Sequence, residues 1–182
     1  MTTTTPTTTG VGADTGMMAG PTEADPTGTG RNAAPGPAGV DRLRATRLAG
    51  QIQFLTARAR SRGTGHANAL LKAELGLKVS HFSVLSVAAN GTHPTQRELS
   101  EFLDLDPSQV VALVDVLEQR GLVERLTDPK DRRSRMIAVT EEGHRVEQRG
   151  YELTEASDRE VLGDLSAAER EQLRGLLTRI AF

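Results

Sequence analysis

The stretch Thr95–Gln119, TQRELSEFLDLDPSQVVALVDVLEQ, decides the fold of this chain. Thr95 and Glu98 have the spacing of a capping box, in which each side chain satisfies a backbone amide at the start of a helix. A second helix begins behind Asp106, a favourable N-cap residue, with Pro107 at the first helical position. Because only about three residues separate the two helices, the stretch predicts a helix-turn-helix.

Apolar spacing and a glycine define the extent of these two helices. We expect the second helix to run to Arg120 and to end at Gly121. The side chains expected to face the core from both helices are Leu99, Phe102, Leu103, Val110, Leu113, Val114 and Leu117.

Two β-rich runs follow the helix-turn-helix, LVERL at 122–126 and MIAV at 136–139. The polar segment 127–135 lies between them and contains an Asp-Pro pair and four basic residues. This arrangement predicts a hairpin with a charged tip directly behind the second helix. The fold class we expect is therefore mainly α with a small β-hairpin wing, that is, a winged helix-turn-helix.

Further helices flank this unit on its N-terminal side. We expect a first helix from about Asp41 to Arg62, a break at 63–65 (Gly-Thr-Gly), and a short helix from His66 that ends at Gly76. A third helix is expected to be capped by Ser80 and to end at 90–91 (Asn-Gly). The narrow apolar seam of the first helix consists of Ala45, Leu48, Ile52, Leu55 and Ala59.

On the C-terminal side, Thr140 can cap a long charged helix that runs to about Leu162, with Val146, Leu153 and Val161 facing inward. Ser166 and Glu169 form the capping box of a last helix with a leucine-rich stripe. The seam of the first helix and this stripe together are more apolar surface than one winged helix can cover, which predicts a homodimer. The domains expected are a helical dimerisation region at 41–75 and 141–182 and a winged helix-turn-helix at 76–140. The stripe consists of Leu173, Leu176, Leu177 and Ile180.

Composition limits the other classes of protein. Residues 1–40 contain 11 Thr, 8 Gly and 5 Pro, which predicts a disordered tail. The chain has no cysteine, so disulfides, cysteine-bound zinc and thiol redox switches are excluded. We find neither a membrane span nor a secretory signal, and we expect a cytoplasmic, nucleoid-associated protein. The net charge is −2, but six basic and three acidic residues between Arg120 and Arg135 give that segment a local +3.

No pattern in the chain indicates catalysis or a bound metal. No two of the four histidines have the i, i+4 spacing of a helical metal site, and no carboxylate cluster accompanies them. A nucleophile with a spaced base, paired carboxylates in an apolar setting and a phosphate loop are all missing. We therefore expect neither a cofactor nor an enzyme.

The wing and its flanks resemble the MarR family (multiple antibiotic resistance regulators). The resemblance covers roughly Arg42 to Ile180, and its most specific parts are RGLVER at 120–125, DPKDRR at 128–133 and VTEEG at 139–143. The LSxxER pattern at 165–170 also matches the last helix of the family. The resemblance implies a homodimer whose first and last helices interlock and whose winged helices bind duplex DNA. Many members release DNA when they bind a small molecule.

The second helix of the helix-turn-helix is the expected reader of the DNA major groove. Its reading positions are Ser108, Gln109, Val111 and Ala112. Gln109 can pair with adenine, whereas the alternative is that it only closes the Asp106 cap. Many family members carry Thr and Arg where this chain has Val111 and Ala112, which favours recognition of DNA shape over direct base contacts.

In the wing, Arg133 is expected to enter a narrow minor groove, oriented by a bidentate pair with Asp131. Phosphate contacts are expected from Lys130, Arg132 and Arg135. They are also expected from the hydroxyl and amides at Thr95 and Gln96 and from Arg97. The alternative is an ordinary solvated hairpin tip. The two-fold symmetry of a dimer predicts a palindromic operator.

A small-molecule effector is the further partner that the resemblance implies. His81 stands where the family often has Gln, facing the expected effector cleft, and either effector contact or a plain surface role remains open for it. Phe54 and Tyr151 are the other candidate effector residues. The alternative function is a winged helix that acts as a protein-interaction or architectural DNA-binding module without an effector.

Overall fold

A computed structural model describes residues 38–129, 131 and 134–182. The chain divides into two units, 1–41 and 42–182. Residues 1–37 of the tail expected to be disordered lie outside the described residues. The last three residues of the tail, 38–40, belong to a short helix, α1. The helices and strands are, in chain order, α1 Ala38–Asp41, two 3₁₀ helices at Arg42–Ala45 and Arg47–Gly50, α2 Ile52–Leu75, α3 Val79–Ala89, α4 Gln96–Leu103, α5 Pro107–Gln119, β1 Val123–Thr127, β2 Arg135–Val139, α6 Glu141–Val161 and α7 Ala167–Ala181.

The expected first helix is not continuous. Thr46 and Gln51 have extended backbone conformations, and they separate the two 3₁₀ helices from each other and from α2. The Thr46 hydroxyl donates to Leu43 O at 2.7 Å, a local bond that competes with helix continuation. The prediction of one helix from Asp41 to Arg62 is therefore wrong in its N-terminal half.

The break expected at the Gly-Thr-Gly segment 63–65 is also wrong, since α2 continues through it. A glycine inside a helix costs only about 1 kcal/mol relative to alanine, and packing between helices can outweigh that. Such packing is present, because α2 lies along α6 in the antiparallel sense: His66 Nδ1 and Ser157 Oγ hydrogen-bond at 3.0 Å, and Glu74 pairs with Arg149 nearer the other end. The helix ends at Gly76, as expected, with a positive φ of 63°.

The start of α3 differs from the expectation as well. The N-cap residue is Lys78, and Ser80 lies inside the first turn. Side chains from elsewhere take the first amides: Asn68 Oδ1 accepts from Val79 N at 2.8 Å, and His81 Nδ1 accepts from Lys78 N at 3.3 Å. Partial burial, followed by the charges of Lys78 and Arg120, lowers the pKa of His81 below its usual value.

The main hydrophobic core joins α3, α4, α5 and the hairpin, as the sequence predicts. Phe102 is an exception, because 59% of it is exposed and its ring stacks on Phe182 with centroids 5.9 Å apart. The turn between α4 and α5 is made by Asp104, which has a positive φ of 51°. The fully buried members of this core include Val84, Leu85, Ala88, Leu99, Val110, Val114, Leu117 and Ile137.

The hairpin is attached to the helix-turn-helix by backbone bonds. β1 and β2 pair antiparallel, with Val123 opposite Val139 and Thr127 opposite Arg135. On the other side of β2, Ile137 N donates to Pro94 O at 2.8 Å, immediately before α4. The wing and α4 therefore form one hydrogen-bonded body, and the winged helix-turn-helix fold is confirmed.

Two glycines allow α6 to approach this body closely. A Cβ on Gly143 would lie 2.0 Å from Leu122 O, and a Cβ on Gly150 would lie 2.4 Å from a carbon of the Phe82 ring. The Thr140 hydroxyl, besides capping α6, donates to Gly121 O at 2.7 Å. The beginning of α6 is therefore fixed to the turn that follows α5. No helix within the described ranges is long and apolar enough to cross a membrane.

Replacement of Gly150 by Ala tests this close approach. The added methyl group would overlap the Phe82 ring, and we expect the free energy of unfolding to fall by about 1–3 kcal/mol in urea denaturation. Gly65→Ala is the matched control, because its Cβ would meet no atom within 4 Å. That variant should be about 0.5–1 kcal/mol more stable than the wild type. Equal stability of the two variants would contradict the packing described.

Replacement of His81 by Gln tests the α3 cap, since the Gln amide oxygen can still accept from Lys78 N. The folded state lowers the pKa of His81, so the unfolded chain binds more protons as pH falls through about 6.5, the usual value for histidine. The wild type should therefore lose more stability than His81→Gln between pH 8 and pH 5, as measured by thermal melts. The control is His144→Gln, at an exposed position of α6. A constant difference in stability between wild type and His81→Gln over this range would refute the assignment.

Candidate nucleic-acid interface

The first turn of α5 is held by a complete capping box. Asp106 Oδ1 accepts from Ser108 N at 2.8 Å, and Gln109 Oε1 accepts from Asp106 N at 3.2 Å. Hydrogen bonds from the Ser108 hydroxyl and amide lower the pKa of the Asp106 carboxyl group, which keeps it ionised at the helix N-terminus. The expected cap and the role of Pro107 at the first position are confirmed.

The four expected reading positions lie together on one exposed surface of α5. Val110, Val114 and Leu117 are fully buried on the opposite side of the helix. Because the core fixes that side, the exposed side keeps a defined orientation. It presents Ser108, Gln109, Val111 and Ala112.

Gln109 already carries the structural role that the sequence left open. Its Oε1 atom is engaged by Asp106 N, whereas a bidentate pair with adenine needs both the oxygen and the amide nitrogen of the side chain. Reading an adenine would therefore require the cap bond to be exchanged. In this conformation Gln109 therefore serves the cap of α5.

The start of α4 is a second candidate surface, with a correction to the expected donors. The amide and hydroxyl of Thr95 both donate to Glu98 Oε2, at 2.7 and 2.8 Å, and these bonds lower the pKa of Glu98. The Thr95 amide is therefore occupied in this conformation rather than free for a phosphate. Helix geometry leaves the amides of Gln96 and Arg97 without intrahelical acceptors.

The side chains of Gln96 and Arg97 differ in accessibility. Gln96 Nε2 is buried and has no hydrogen-bond partner among the residues that the structure describes. The Arg97 side chain is 87% exposed and pairs with Glu101 at 2.9 Å. An exposed pair of this kind is weak, so Arg97 can exchange its partner for a phosphate.

The wing is described only in part. Asp131 O accepts from Ser134 N at 2.9 Å, and Arg135 Nη1 donates to Thr127 Oγ1 at 2.6 Å across the two strands. The exposed guanidinium of Arg135 therefore lies at the tip end of the paired strands, next to the loop. Three of the expected DNA contacts, Lys130, Arg132 and Arg133, lie outside the described residues, and the expected pair of Asp131 with Arg133 does too.

Two arginines of the basic segment have structural partners that local sequence spacing does not reveal. Arg125 pairs with both Asp115 and Glu118 of α5. Burial disfavours its charged form, but these hydrogen bonds outweigh it and raise the pKa of the guanidinium. Arg120 instead donates to two backbone carbonyls at the end of α2. Both guanidinium groups are engaged within the protein. The net charge of +3 between Arg120 and Arg135 therefore overstates how much positive charge this segment offers to DNA.

The three candidate effector residues are not all brought together within one chain. His81 caps α3, and 56% of Tyr151 is exposed on α6 near the C-terminal end of α2. Phe54 is half-buried near the other end of α2, 21 residues before Leu75 and therefore about 32 Å from it along the helix for a rise of 1.5 Å per residue. None of the three lines either of two grooves that the surface contains.

The first groove has a volume of about 390 Å³ and lies behind α4. The second has about 440 Å³ and follows α2. Among the described residues, no group of three or more His, Asp or Glu side chains is placed to hold a metal ion. The residues around the first groove are Ser86, Val87, Asn90, Thr92, Pro94, Glu98 and Phe102.

Comparisons with known proteins agree with this geometry. A model of the MarR family matches residues 75–134. A MarR-family transcriptional regulator from Rhodococcus sp. RHA1 is 37% identical, with 76% of this chain and 97% of that chain covered and a TM-score of 0.72. CouR from Rhodococcus jostii RHA1, solved with p-coumaroyl-CoA bound, is 34% identical, with 76% and 96% covered and a TM-score of 0.68.

A curated relative adds a shorter match. A transcriptional regulatory protein for the hcr operon of Thauera aromatica is 34% identical over 105 residues, which is 58% of this chain. The aligned part spans 63% of the length of that relative. Together with a capped helix-turn-helix and a hydrogen-bonded wing, these likenesses establish that the chain belongs to the MarR family of transcriptional regulators.

Proposed function

We propose that this protein is a homodimeric, sequence-specific DNA-binding repressor that releases a palindromic operator when a small molecule binds. The observation that carries the proposal is the α5 helix. Its apolar side is fixed in the core, while the side with Ser108 and Ala112 is exposed at the N-terminal turn. A helix oriented in this way can enter the major groove of DNA.

Exposed apolar side chains support the homodimer. Ile52 at the start of α2 is 76% exposed, and Ile180 on α7 is 73% exposed. A helix that displays an apolar stripe to water is typical of a subunit interface. We propose that the helices at 41–75 and 141–182 form that interface, with 76–140 as the DNA-binding domain. The other exposed members are Leu48, Leu55, Leu176 and Leu177.

We propose an aromatic anion as the effector. CouR, with the same fold and 34% identity, was solved with p-coumaroyl-CoA. The groove behind α4 has a volume in the usual range of small-molecule sites, and Val87, Pro94 and Phe102 give it an apolar wall that suits an aromatic ring. Among the described residues that line the groove, Glu98 is the one charged side chain, and a carboxylate repels an anion. The groove would therefore hold the aromatic ring of the effector, with its anionic group directed towards solvent. A ligand there would contact the capping box at the start of α4.

Replacement of Gln109 by Glu tests the DNA-binding surface. A glutamate can keep the cap at this position but places a negative charge against the DNA backbone. We expect affinity for a duplex that the wild type selects from a random pool to fall by at least about tenfold in fluorescence anisotropy. The same change at Gln148, exposed on α6, is the matched control and should alter affinity less than twofold.

Two further measurements on the wild type test the homodimer and the contacts with DNA phosphates. Light scattering of the wild type should give twice the chain mass of 19.5 kDa. The logarithm of its DNA affinity should fall with the logarithm of salt concentration by about 0.9 for each neutralised phosphate. A monomer would contradict the proposed homodimer. Equal affinities of Gln109→Glu and Gln148→Glu for DNA would contradict the proposed reading surface.

The effector is tested with p-coumaroyl-CoA, p-coumarate and free CoA added separately to the protein–DNA complex. We expect an aromatic anion among them to raise the melting temperature of the free protein and to release DNA. Stabilisation and release belong together, because a ligand that favours one state must bind it more tightly. DNA binding unaffected by all three, and by a wider metabolite panel, would favour an architectural or protein-interaction module instead.

A further inference from the structure

We propose that Arg120 is a positioning residue that fixes the recognition helix α5 to the end of the dimerisation helix α2. In this role it sets the separation of the two reading helices in the dimer. The inference rests on the proposed function and adds a determinant of operator geometry to it. Arg120 need not contact DNA to act in this way.

The guanidinium of Arg120 binds the carboxyl end of α2. Its Nη2 donates to Leu75 O at 2.7 Å, and its Nη1 donates to Gly76 O at 3.4 Å. Helix carbonyls at this end lack intrahelical partners, and the helix dipole places partial negative charge there. The planar fork of an arginine can reach two carbonyls at once, whereas a lysine ammonium group is a single point of contact.

The backbone of Arg120 belongs to α5. Its amide donates to Val116 O at 3.2 Å as the C-cap of the helix, and Gly121 then reverses the chain with a positive φ of 68°. Leu117 and Leu122, on either side in sequence, are buried in the core. The side chain is therefore a short link between two fixed helix ends, 44 and 45 residues apart in sequence.

The partners of Arg120 are backbone carbonyls of another helix, unlike the carboxylate partners of three other helical arginines. Arg97, Arg145 and Arg174 each pair with a glutamate three or four residues away in their own helix. In the part of the chain that the structure describes, Arg120 forms no ion pair with a carboxylate. Its contacts bridge two separate helices, so their loss would change how the helices are arranged rather than the stability of one of them.

Operator geometry depends on this arrangement. The exposed apolar residues of α2 are proposed to face the partner subunit, and the exposed N-terminal turn of α5 is proposed to face DNA. A dimer reads two half-sites whose spacing must match the separation of its recognition helices. A link between the ends of α2 and α5 therefore restricts the spacing that the dimer accepts. Without it, the body that contains α5 can shift relative to α2, and the dimer would accept a wider range of spacings.

The experiment uses the full chain and a set of palindromes in which the half-site separation differs from the selected operator by zero, one or two base pairs either way. We expect the wild type to prefer one spacing. Arg120→Met should bind that spacing about tenfold more weakly and show a flatter profile across the set. Arg120→Lys, which keeps the charge but not the fork, should lie between them. Arg145→Met, at an exposed position of α6, is the control and should follow the wild type.

The dependence of DNA affinity on half-site spacing distinguishes a positioning role of Arg120 from a general loss of protein stability. A merely structural role would lower affinity by the same factor at every spacing and leave the preferred spacing as sharp as before, which would overturn the proposal. If Arg120→Met does not fold, Arg120→Lys provides the same comparison of shapes. A wild type that selects no palindrome would instead refute the proposed function, and the positioning role with it.

Discussion

The rest of the DNA-binding domain depends on the burial of one side of α5. Val110, Val114 and Leu117 are removed from water by α3, α4 and the hairpin at once. The hydrophobic effect therefore does more than stabilise the domain, because it also determines which side of α5 remains exposed. The hydrogen bond between Ile137 and Pro94 then couples the wing to the same body. The two surfaces proposed to contact one DNA duplex are in this way held by one core.

The sequence predicts this domain well where its signals are local. The capping boxes at Thr95 and Asp106 act over three residues and are found as expected. Two of the errors, at 63–65 and at Ser80, arise where a distant partner decides the outcome. α6 supports α2 across the glycines at 63–65, and Asn68 provides a cap that made Ser80 unnecessary. These contacts cannot be predicted from the residues next to them in sequence.

In the candidate site, too, local features could be predicted from the sequence and contacts with distant residues could not. The exposed positions on α5 follow from helical periodicity, so they could be predicted from the sequence. The partners of Arg120 and Arg125 could not, since a count of charges does not reveal a carbonyl 45 residues away or two carboxylates on the adjacent helix. An arginine-rich segment can therefore serve as internal support as much as an electrostatic surface. The engagement of the Thr95 amide, in contrast, follows from the local capping box with Glu98.

The two close contacts of α6 limit how a signal can pass through the protein. Gly143 and Gly150 are seven residues apart, which places them on nearly the same side of the helix, and each admits a group from the DNA-binding domain. Together the two close contacts fix both the rotation of α6 and its position along its own axis. Sliding by a turn would drive a larger side chain into the Leu122 carbonyl or the Phe82 ring. Any rearrangement caused by the proposed effector must therefore move α6 and the winged helix together as one rigid unit.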